Sequence, residues 1–170
     1  VDASGNYYIT GSYTDSATFG AVPLTNSGQS DIFIVKYDAD GNVLWAQKYG
    51  GLHNDAGNSI VVDSNGNCYV GGYTLNFGSG SVNMGQLFYA KYNSLGVVQW
   101  TKINGGTNSY STDEKGVNAI SVDSFGNTYL TGYYRTYNTS GGYIRKCDPS
   151  GNTVWQKTLE GYNGNDIVTD

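Results

Sequence analysis

One segment of this chain occurs three times, and that repetition limits the folds open to it. The clearest copy is Val62–Val70, with an earlier copy at Val1–Ile9 and a later one at Val122–Leu130. In each copy an Asp is followed three residues later by Gly-Asn, and then by a Tyr-containing run. The three aspartates lie 61 and 60 residues apart. That period fits units of propeller-blade size rather than the shorter units of most solenoids.

Two further markers repeat in the same order. The three tryptophans, Trp45, Trp100 and Trp155, lie 55 residues apart, and each ends a Gly-x-x-x-Trp element. The apolar run Ile32–Tyr37 returns as Leu87–Tyr92 and, more altered, as Tyr143–Cys147. The chain is therefore predicted to be a single repeat region, with units of about 1–61, 62–121 and 122–170.

The composition excludes several classes of protein. Glycine (25 residues) and tyrosine (16) are abundant, and no window has the three- and four-residue apolar spacing of an amphipathic helix, so almost no helix is expected. The nine lysines and arginines are dispersed, which argues against a nucleic-acid partner because phosphate binding needs a basic surface. No apolar stretch approaches the length of a membrane span, so membrane insertion is not expected.

Each unit contains the same strand signals. Alternating or continuous apolar runs predict strands at Asn6–Tyr13, Ile32–Tyr37, Val43–Tyr49 and Ser59–Val62. Four strands per unit at a fixed period indicate an all-β protein made of β-propeller blades: three four-stranded antiparallel repeats of about 47–61 residues.

The turns and the tryptophans have structural roles in this interpretation. An Asp whose carboxylate caps its own turn, followed by a Gly in the left-handed region, is predicted to close each hairpin. A large ring that occurs once per unit suits packing between blades, and this role is predicted for Trp45, Trp100 and Trp155. The predicted turn-capping residues are Asp2, Asp38, Asp63, Asp123 and Asp148.

The amino-acid sequence of the repeat resembles that of a known family. Val62–Asn67 with Tyr69–Tyr73, then Ser30–Trp45 and the closing Gly50-Gly51, is similar to the bacterial β-propeller repeat called SBBP, across essentially the whole chain. The resemblance implies a propeller from an exported or surface-attached bacterial protein, commonly part of a larger chain, in a family without an established activity. The third unit departs from the pattern, since its middle loop is shorter and Cys147 replaces a tyrosine.

The two ends of the sequence have the same repeat phase. Gly164–Asp170 aligns with Gly57–Asp63, so a strand is predicted at Asp166–Thr169, whereas the first unit lacks the strand that should precede Val1. Three blades are too few for a ring. The chain is therefore expected to be part of a larger ring or assembly, either as a fragment of a longer chain or by strand exchange with other copies into a ring or filament.

Metal and cofactor sites are not predicted. Asp2, Asp63 and Asp123 could form a ring of metal ligands, but capping of turns explains them better. Asp38–Asn42 begins like a calcium loop, yet its glycine comes early and no glutamate stands at the twelfth position, which leaves calcium there as an alternative to no cofactor. Cys68 and Cys147 occupy non-equivalent positions of the repeat, which favours two buried thiols over a disulfide.

Catalysis is not predicted either. His53 stands alone in a loop, and nothing singles out a pair of acids among Glu114, Glu160 and the turn aspartates. Asn138 begins the sequon Asn-Thr-Ser, an N-glycosylation pattern in a loop.

The sequence therefore predicts a non-enzymatic, extracellular or cell-surface β-propeller module with a structural or assembly role, whose partners are copies of itself or further blades of a parent chain. The alternative is a propeller that binds glycans or proteins through Tyr- and Asn-rich loops, with Tyr73 and Tyr134 as candidate contacts. These loops are the variable stretches 14–30, 74–86 and 135–141.

Overall fold

The structure is a computed structural model that describes residues 1–76, 84–104, 114–135 and 139–169. Within these ranges the protein consists of β-strands, turns and irregular segments, with no helix that could span a membrane. The strands are β1 (Tyr7–Tyr13), β2 (Ser16–Phe19), β3 (Val22–Thr25), β4 (Asp31–Tyr37), β5 (Val43–Tyr49), β6 (Asp55–Val62), β7 (Cys68–Asn76), β8 (Met84–Tyr92), β9 (Val98–Asn104), β10 (Glu114–Val122), β11 (Thr128–Arg135), β12 (Ser140–Cys147) and β13 (Thr153–Glu160).

The strands form three main sheets and one separate hairpin, and all pairs of these strands are antiparallel. The first sheet has the order β1-β4-β5, the second β6-β7-β8-β9 and the third β10-β11-β12-β13. The all-antiparallel β architecture agrees with the sequence prediction. The prediction of three four-stranded repeats is wrong for the first sheet, which has three strands.

The strand predicted at Ser59–Val62 explains this difference. It begins earlier, at Asp55, and as β6 it pairs with β7 of the second sheet instead of β5. The tight turn at Asp63–Asn67 makes β6 and β7 a hairpin, so the chain crosses between sheets in the loop before β6. The described residues form no closed ring.

The stretch between β1 and β4, a variable part of the repeat, contains the hairpin β2–β3. Ala17 and Phe19 alternate with Ser16 and Thr18 before the turn, and Val22 and Leu24 alternate with Pro23 and Thr25 after it. This short alternation gives the hairpin one apolar face, and that face packs onto the first sheet.

The core lies between consecutive sheets. The layer between the first and second sheets contains Tyr8, Ile32, Ile34, Cys68, Val70, Phe88, Ala90 and Tyr92. The layer between the second and third sheets contains Tyr69, Leu87, Tyr89, Val117, Ile120, Leu130, Tyr143 and Cys147. The central strands β4, β7 and β8 therefore bury both of their faces, as the near-continuous apolar runs predict.

Residues 162–169, here called the tail, follow β13 without forming a strand, so the prediction of a strand at Asp166–Thr169 is wrong. The tail still lies against the third sheet. Gly164 donates its N–H to Gly132 O at 3.3 Å, and Thr169 Oγ1 donates to Val122 O at 2.9 Å. The third strand of the third unit, β12, is complete and pairs with both β11 and β13.

Candidate functional site

The repeated Asp-x-x-Gly-Asn turns share one hydrogen-bond pattern. In the turn at Asp63, the carboxylate Oδ1 accepts the backbone N–H groups of Asn65 and Asn67, each at 3.0 Å, and Oδ2 accepts Asn67 Nδ2 at 2.8 Å. Gly66 has φ +76°, a conformation that side chains other than glycine rarely adopt. The same pattern is present at the other four predicted capping residues, Asp2, Asp38, Asp123 and Asp148.

These bonds shift the acidity of the carboxyls. Burial acts to raise the pKa of Asp2 and of Asp123, but hydrogen bonds from Asn6 and Asn127 and from backbone N–H groups outweigh it and hold each pKa below its ordinary value. At Asp38 the side chain of Asn42 is the main cause of a lowered pKa. At Asp148 the backbone N–H of Asn152 is the main cause. The carboxylates are therefore engaged as acceptors within their own turns.

Three of these turns also carry a Tyr and a Lys. The Tyr8 hydroxyl donates to Asp2 Oδ2 at 3.1 Å, and Lys36 Nζ lies 3.4 Å from the same oxygen and 5.1 Å from the Tyr8 ring centroid. This cation–π arrangement returns at the other two units. The equivalent sets are Asp63, Tyr69 and Lys91, and Asp123, Tyr129 and Lys146.

The pKa shifts of the Tyr and Lys members agree with these contacts. Burial, followed by the hydrogen bond to Asp2, raises the pKa of Tyr8, and the hydroxyl of Tyr129 holds the pKa of Lys146 above its usual range. Sequence reasoning missed the Tyr and Lys members, although the constant spacing of six residues from Asp to Tyr could have indicated the tyrosines.

Two grooves open between neighbouring turns at this end of the sheets. The larger, of about 340 Å³, lies between the turns at Asp63 and Asp123, and the smaller, of about 190 Å³, lies between those at Asp2 and Asp63. The larger groove is lined by Asn65, Lys91 and Phe125 among others. Phe125 is 83 % exposed and stands where the other turns have Ser4 and Asn65.

At the junctions between sheets, tryptophans contact the following sheet. Trp45 Nε1 donates to Ser94 O at 3.1 Å, and Trp100 Nε1 donates to Pro149 O at 3.0 Å. Both acceptors are the second residue of the turn before the last strand of the next sheet. Each indole also lies on the glycine of that turn, Gly96 or Gly151, where a Cβ would meet the ring.

A second junction contact pairs small and large residues. A Cβ on Gly57 of β6 would collide with Thr10 of β1 in the preceding sheet. At the next junction the sizes are reversed, because Val117 of β10 fills the space beside Gly71 of β7. The tail repeats the first arrangement, since a Cβ on Gly164 would collide with Thr131 of β11.

Asparagines make a third junction contact. Asn58 Nδ2 donates to Val117 O at 2.9 Å, from β6 to the equivalent strand of the next sheet. Asn118 Nδ2, at the matching position of β10, donates to Gly164 O at 2.8 Å. The tail therefore has the same contacts with the third sheet that β6 and β10 have with the sheets before them.

The third sheet has an uncovered face beyond the tail. Trp155, the equivalent of Trp45 and Trp100, is 38 % exposed, and Leu159 on the same strand is also exposed. No described residue covers this part of β13. We call the surface formed by Trp155, Leu159 and the tail the docking face.

The first sheet has a matching open edge. Among the described strands, β1 pairs only with β4, whereas β7 and β11 each pair on both sides. Ile9 on β1 is 43 % exposed. A strand in the position of β6 or β10 would fit beside β1.

The remaining candidate residues do not come together into a site. His53 lies half-buried in the loop between β5 and β6, and Glu160 is exposed at the end of β13. Within the described ranges, no three His, Cys, Asp or Glu residues are grouped as metal ligands.

Some candidate residues of the sequence analysis lie outside the described residues, namely Asn138 and the side chain of Glu114. Tyr73 and Tyr134 are half-buried, and the stretches that follow them in the sequence, 77–83 and 136–138, also lie outside the described residues.

The two cysteines are free thiols in the core. Cys68 lies in the layer between the first two sheets and Cys147 in the next layer. Burial raises the pKa of Cys68 to about 12, which leaves it an unreactive thiol at neutral pH.

Comparison with protein families identifies the repeat. Residues 44–78, which run from β5 through the Asp63 turn into β7, match a family model described as "SBBP: Beta-propeller repeat". Residues 44–78 thus carry the SBBP β-propeller repeat. This finding confirms the resemblance that the sequence motifs indicate.

Two relatives cover most of this chain. An uncharacterized WD repeat-containing protein, L264, of Acanthamoeba polyphaga mimivirus is 31% identical over 142 residues, which is 71% of this chain and 10% of the relative. The regulatory protein FlaEY of Caulobacter vibrioides is 30% identical over 145 residues, which is 79% of this chain and 14% of that protein. The chain thus spans only a small part of the length of these relatives.

Proposed function

We propose that this chain is a non-enzymatic structural module, a run of SBBP β-propeller blades that contacts further protein repeats. In this proposal each of the three sheets is one blade, and the run is part of a larger ring or assembly. The location at the cell surface or outside the cell that the family resemblance implies belongs to the same proposal.

The repetition of the junctions is the observation that carries this proposal. Two junctions use the same tryptophan-to-turn hydrogen bond and matched small and large residues. The docking face offers the first element, Trp155, and already has the second in Gly164 and Thr131. A further blade would supply an acceptor carbonyl for Trp155 and strands that pair with the tail.

The partner is therefore defined by its chemistry. It is a β-sheet with an open inner edge and a turn of the Asn93–Gly96 type, from a parent chain or from another copy. Relatives named as a WD repeat-containing protein and a regulatory protein are consistent with a role in protein contacts rather than catalysis.

A lengthened chain tests this proposal. Because Asp170 has the repeat phase of Asp63, a second copy of residues 64–123 can be joined after Asp170 without changing the period. We expect the added unit to fold as a fourth blade, with the tail as its inner strand. In urea unfolding the m value should rise with the larger surface that is exposed on unfolding.

The matched variant is Trp155→Ala in both chains. In the lengthened chain it should cost about 3–5 kcal/mol of unfolding free energy, as for a buried ring. In the original chain, where the ring is 38 % exposed, the cost should be smaller by at least about 1 kcal/mol. An equal small cost in both chains would contradict the docking of a further blade.

The larger groove favours a second candidate function, ligand binding. It combines hydrogen-bonding side chains with the exposed ring of Phe125, a combination that suits stacking and hydrogen bonding of a sugar. This groove lies at the opposite end of β7 from Tyr73. A glycan array with the native chain and the Phe125→Ala variant tests it: binding lost in the variant supports a glycan site, and no binding by the native chain excludes those glycans.

A further inference from the structure

The β2–β3 hairpin lies on the face of the first sheet that points away from the second sheet. Its Leu24 is buried together with Tyr13, Val35 and Ala46. Phe19 packs on Phe33 with ring centroids 5.0 Å apart. The hairpin thereby covers residues of β4 and β5 that would otherwise be exposed.

The repeat shows what occupies this face in the other sheets. Phe33, Val35 and Tyr37 of β4 are the equivalents of Phe88, Ala90 and Tyr92 of β8. Those three β8 residues lie in the layer against the preceding sheet, where Tyr49 stacks on Phe88 with centroids 4.5 Å apart. On the first sheet Phe19 takes the place that Tyr49 has on the second.

The tip of the hairpin reaches the outer strand as well. Gly20 lies against Val43, where a Cβ would approach the Val43 side chain to 3.1 Å. Val98, the equivalent of Val43, lines a gap beside Gln47, Lys48 and Tyr49 of the preceding sheet. The hairpin therefore occupies space that a preceding blade uses at the next junction.

We propose that the β2–β3 hairpin is a cap that competes with the docking face of a second copy of this chain for this surface of the first sheet. The proposal rests on the blade docking described under the proposed function. With the cap in place, a second copy cannot bring Trp155 and its tail against the first sheet, although the edge of β1 is open. Self-association through the ends is then prevented by the hairpin.

Besides its apolar face, the cap has polar contacts at its base. Lys48 Nζ donates to Thr25 O and to Ser27 Oγ at 2.8 Å, and lies 3.6 Å from Asp31 Oδ2. The Ser27 N–H donates to the same Asp31 oxygen at 2.8 Å. Beyond this base the hairpin has only two short strands, and an isolated two-stranded hairpin is at best marginally stable in water. It can therefore be removed or displaced without breaking the β1-β4-β5 ladder.

Removal of the hairpin provides the test. The Asn26 N–H donates to Asp15 O at 3.0 Å, so the ends of the hairpin are adjacent and residues 16–25 can be replaced by Gly-Gly. Absolute mass is measured by light scattering after size exclusion, over about a hundredfold range of concentration. We expect the native chain to remain monomeric and the shortened chain to form dimers or larger multiples.

A second substitution separates specific docking from exposed apolar surface. Trp155→Ala in the shortened chain should restore the monomer, because it removes the ring that the uncovered surface receives. A shortened chain that stays monomeric, or that associates equally without Trp155, would overturn the proposal. A native chain that associates as strongly as the shortened one would also overturn it.

Two controls keep the result interpretable. Phe19→Ala keeps the full chain length and weakens the cap. This variant should associate more strongly than the native chain but less strongly than the shortened chain. A mass identical to that of the native chain would count against the cap. If the lengthened chain buries Trp155 but the shortened chain stays monomeric, only the cap is wrong. If neither occurs, the docking of blades itself is wrong.

Discussion

The three tryptophans show how equivalent residues differ in effect according to their neighbours. Trp100 packs on Gly151 and donates to Pro149 O, so Trp100→Ala should leave a cavity and an unpaired carbonyl. We expect a loss of about 3–5 kcal/mol in unfolding free energy, measured in urea. Trp155→Ala in the same chain is the matched control, and equal losses in the two variants would contradict the assignment of Trp100 to a junction.

The turn aspartates make stability depend on pH. Hydrogen bonds hold the folded-state pKa values of Asp2, Asp38, Asp123 and Asp148 below the ordinary value of 3.8. The stabilisation is therefore complete above that ordinary value and is lost as the pH falls through the lower folded-state values. Thermal unfolding should show a constant midpoint near neutral pH and a steep decrease below about pH 4.

One turn of the chain has Asn in place of Asp, and this turn suggests a control for the pH dependence. Asn93 occupies the equivalent position in one turn, and its Oδ1 accepts the N–H groups of Leu95 and Val97. A triple variant with Asp38→Asn, Asp123→Asn and Asp148→Asn should keep these turns and weaken the acid dependence, leaving the part that comes from Asp2. An unchanged acid transition in this triple variant would assign it to other groups.

At the scale of strands, the junctions depend on matched volumes. Gly57 faces Thr10, whereas Val117 faces Gly71 at the next junction. Gly57→Val should therefore destabilise the protein by about 1–3 kcal/mol through overpacking. Adding Thr10→Gly reproduces the Val117–Gly71 combination and should recover most of that loss, with a coupling of at least about 0.5 kcal/mol in a double-mutant cycle. Additive losses would show that the two side chains do not share a space.

The sequence could predict most strands and all of the Asp turns, because period, alternation and turn residues are local signals. It could not assign β6 to the second sheet, since that depends on which neighbour a strand pairs with after a loop. The β2–β3 hairpin was missed because its strands are only four residues long. The lysines of the turn clusters could not be assigned without the register of β1 with β4, which places Lys36 opposite Tyr8.

At the scale of the whole molecule, the two outer faces are different. The first sheet is covered by the hairpin, while the third sheet presents Trp155 and a tail already placed by Asn118 and Thr131. The account therefore predicts that a further blade adds on the third sheet, and that the opposite side is closed to a blade while the hairpin is in place.

The most direct test of this central claim observes Trp155 itself. The native and the lengthened chains are labelled with 5-fluorotryptophan, the Trp155 resonance is assigned with Trp155→Phe, and its shift is compared in H2O and D2O by fluorine NMR. The account predicts that Trp155 is solvent-sensitive in the native chain and becomes as insensitive as Trp100 when the fourth unit is present. A Trp155 signal that remains equally solvent-sensitive in the lengthened chain would contradict the claim that this face receives a blade.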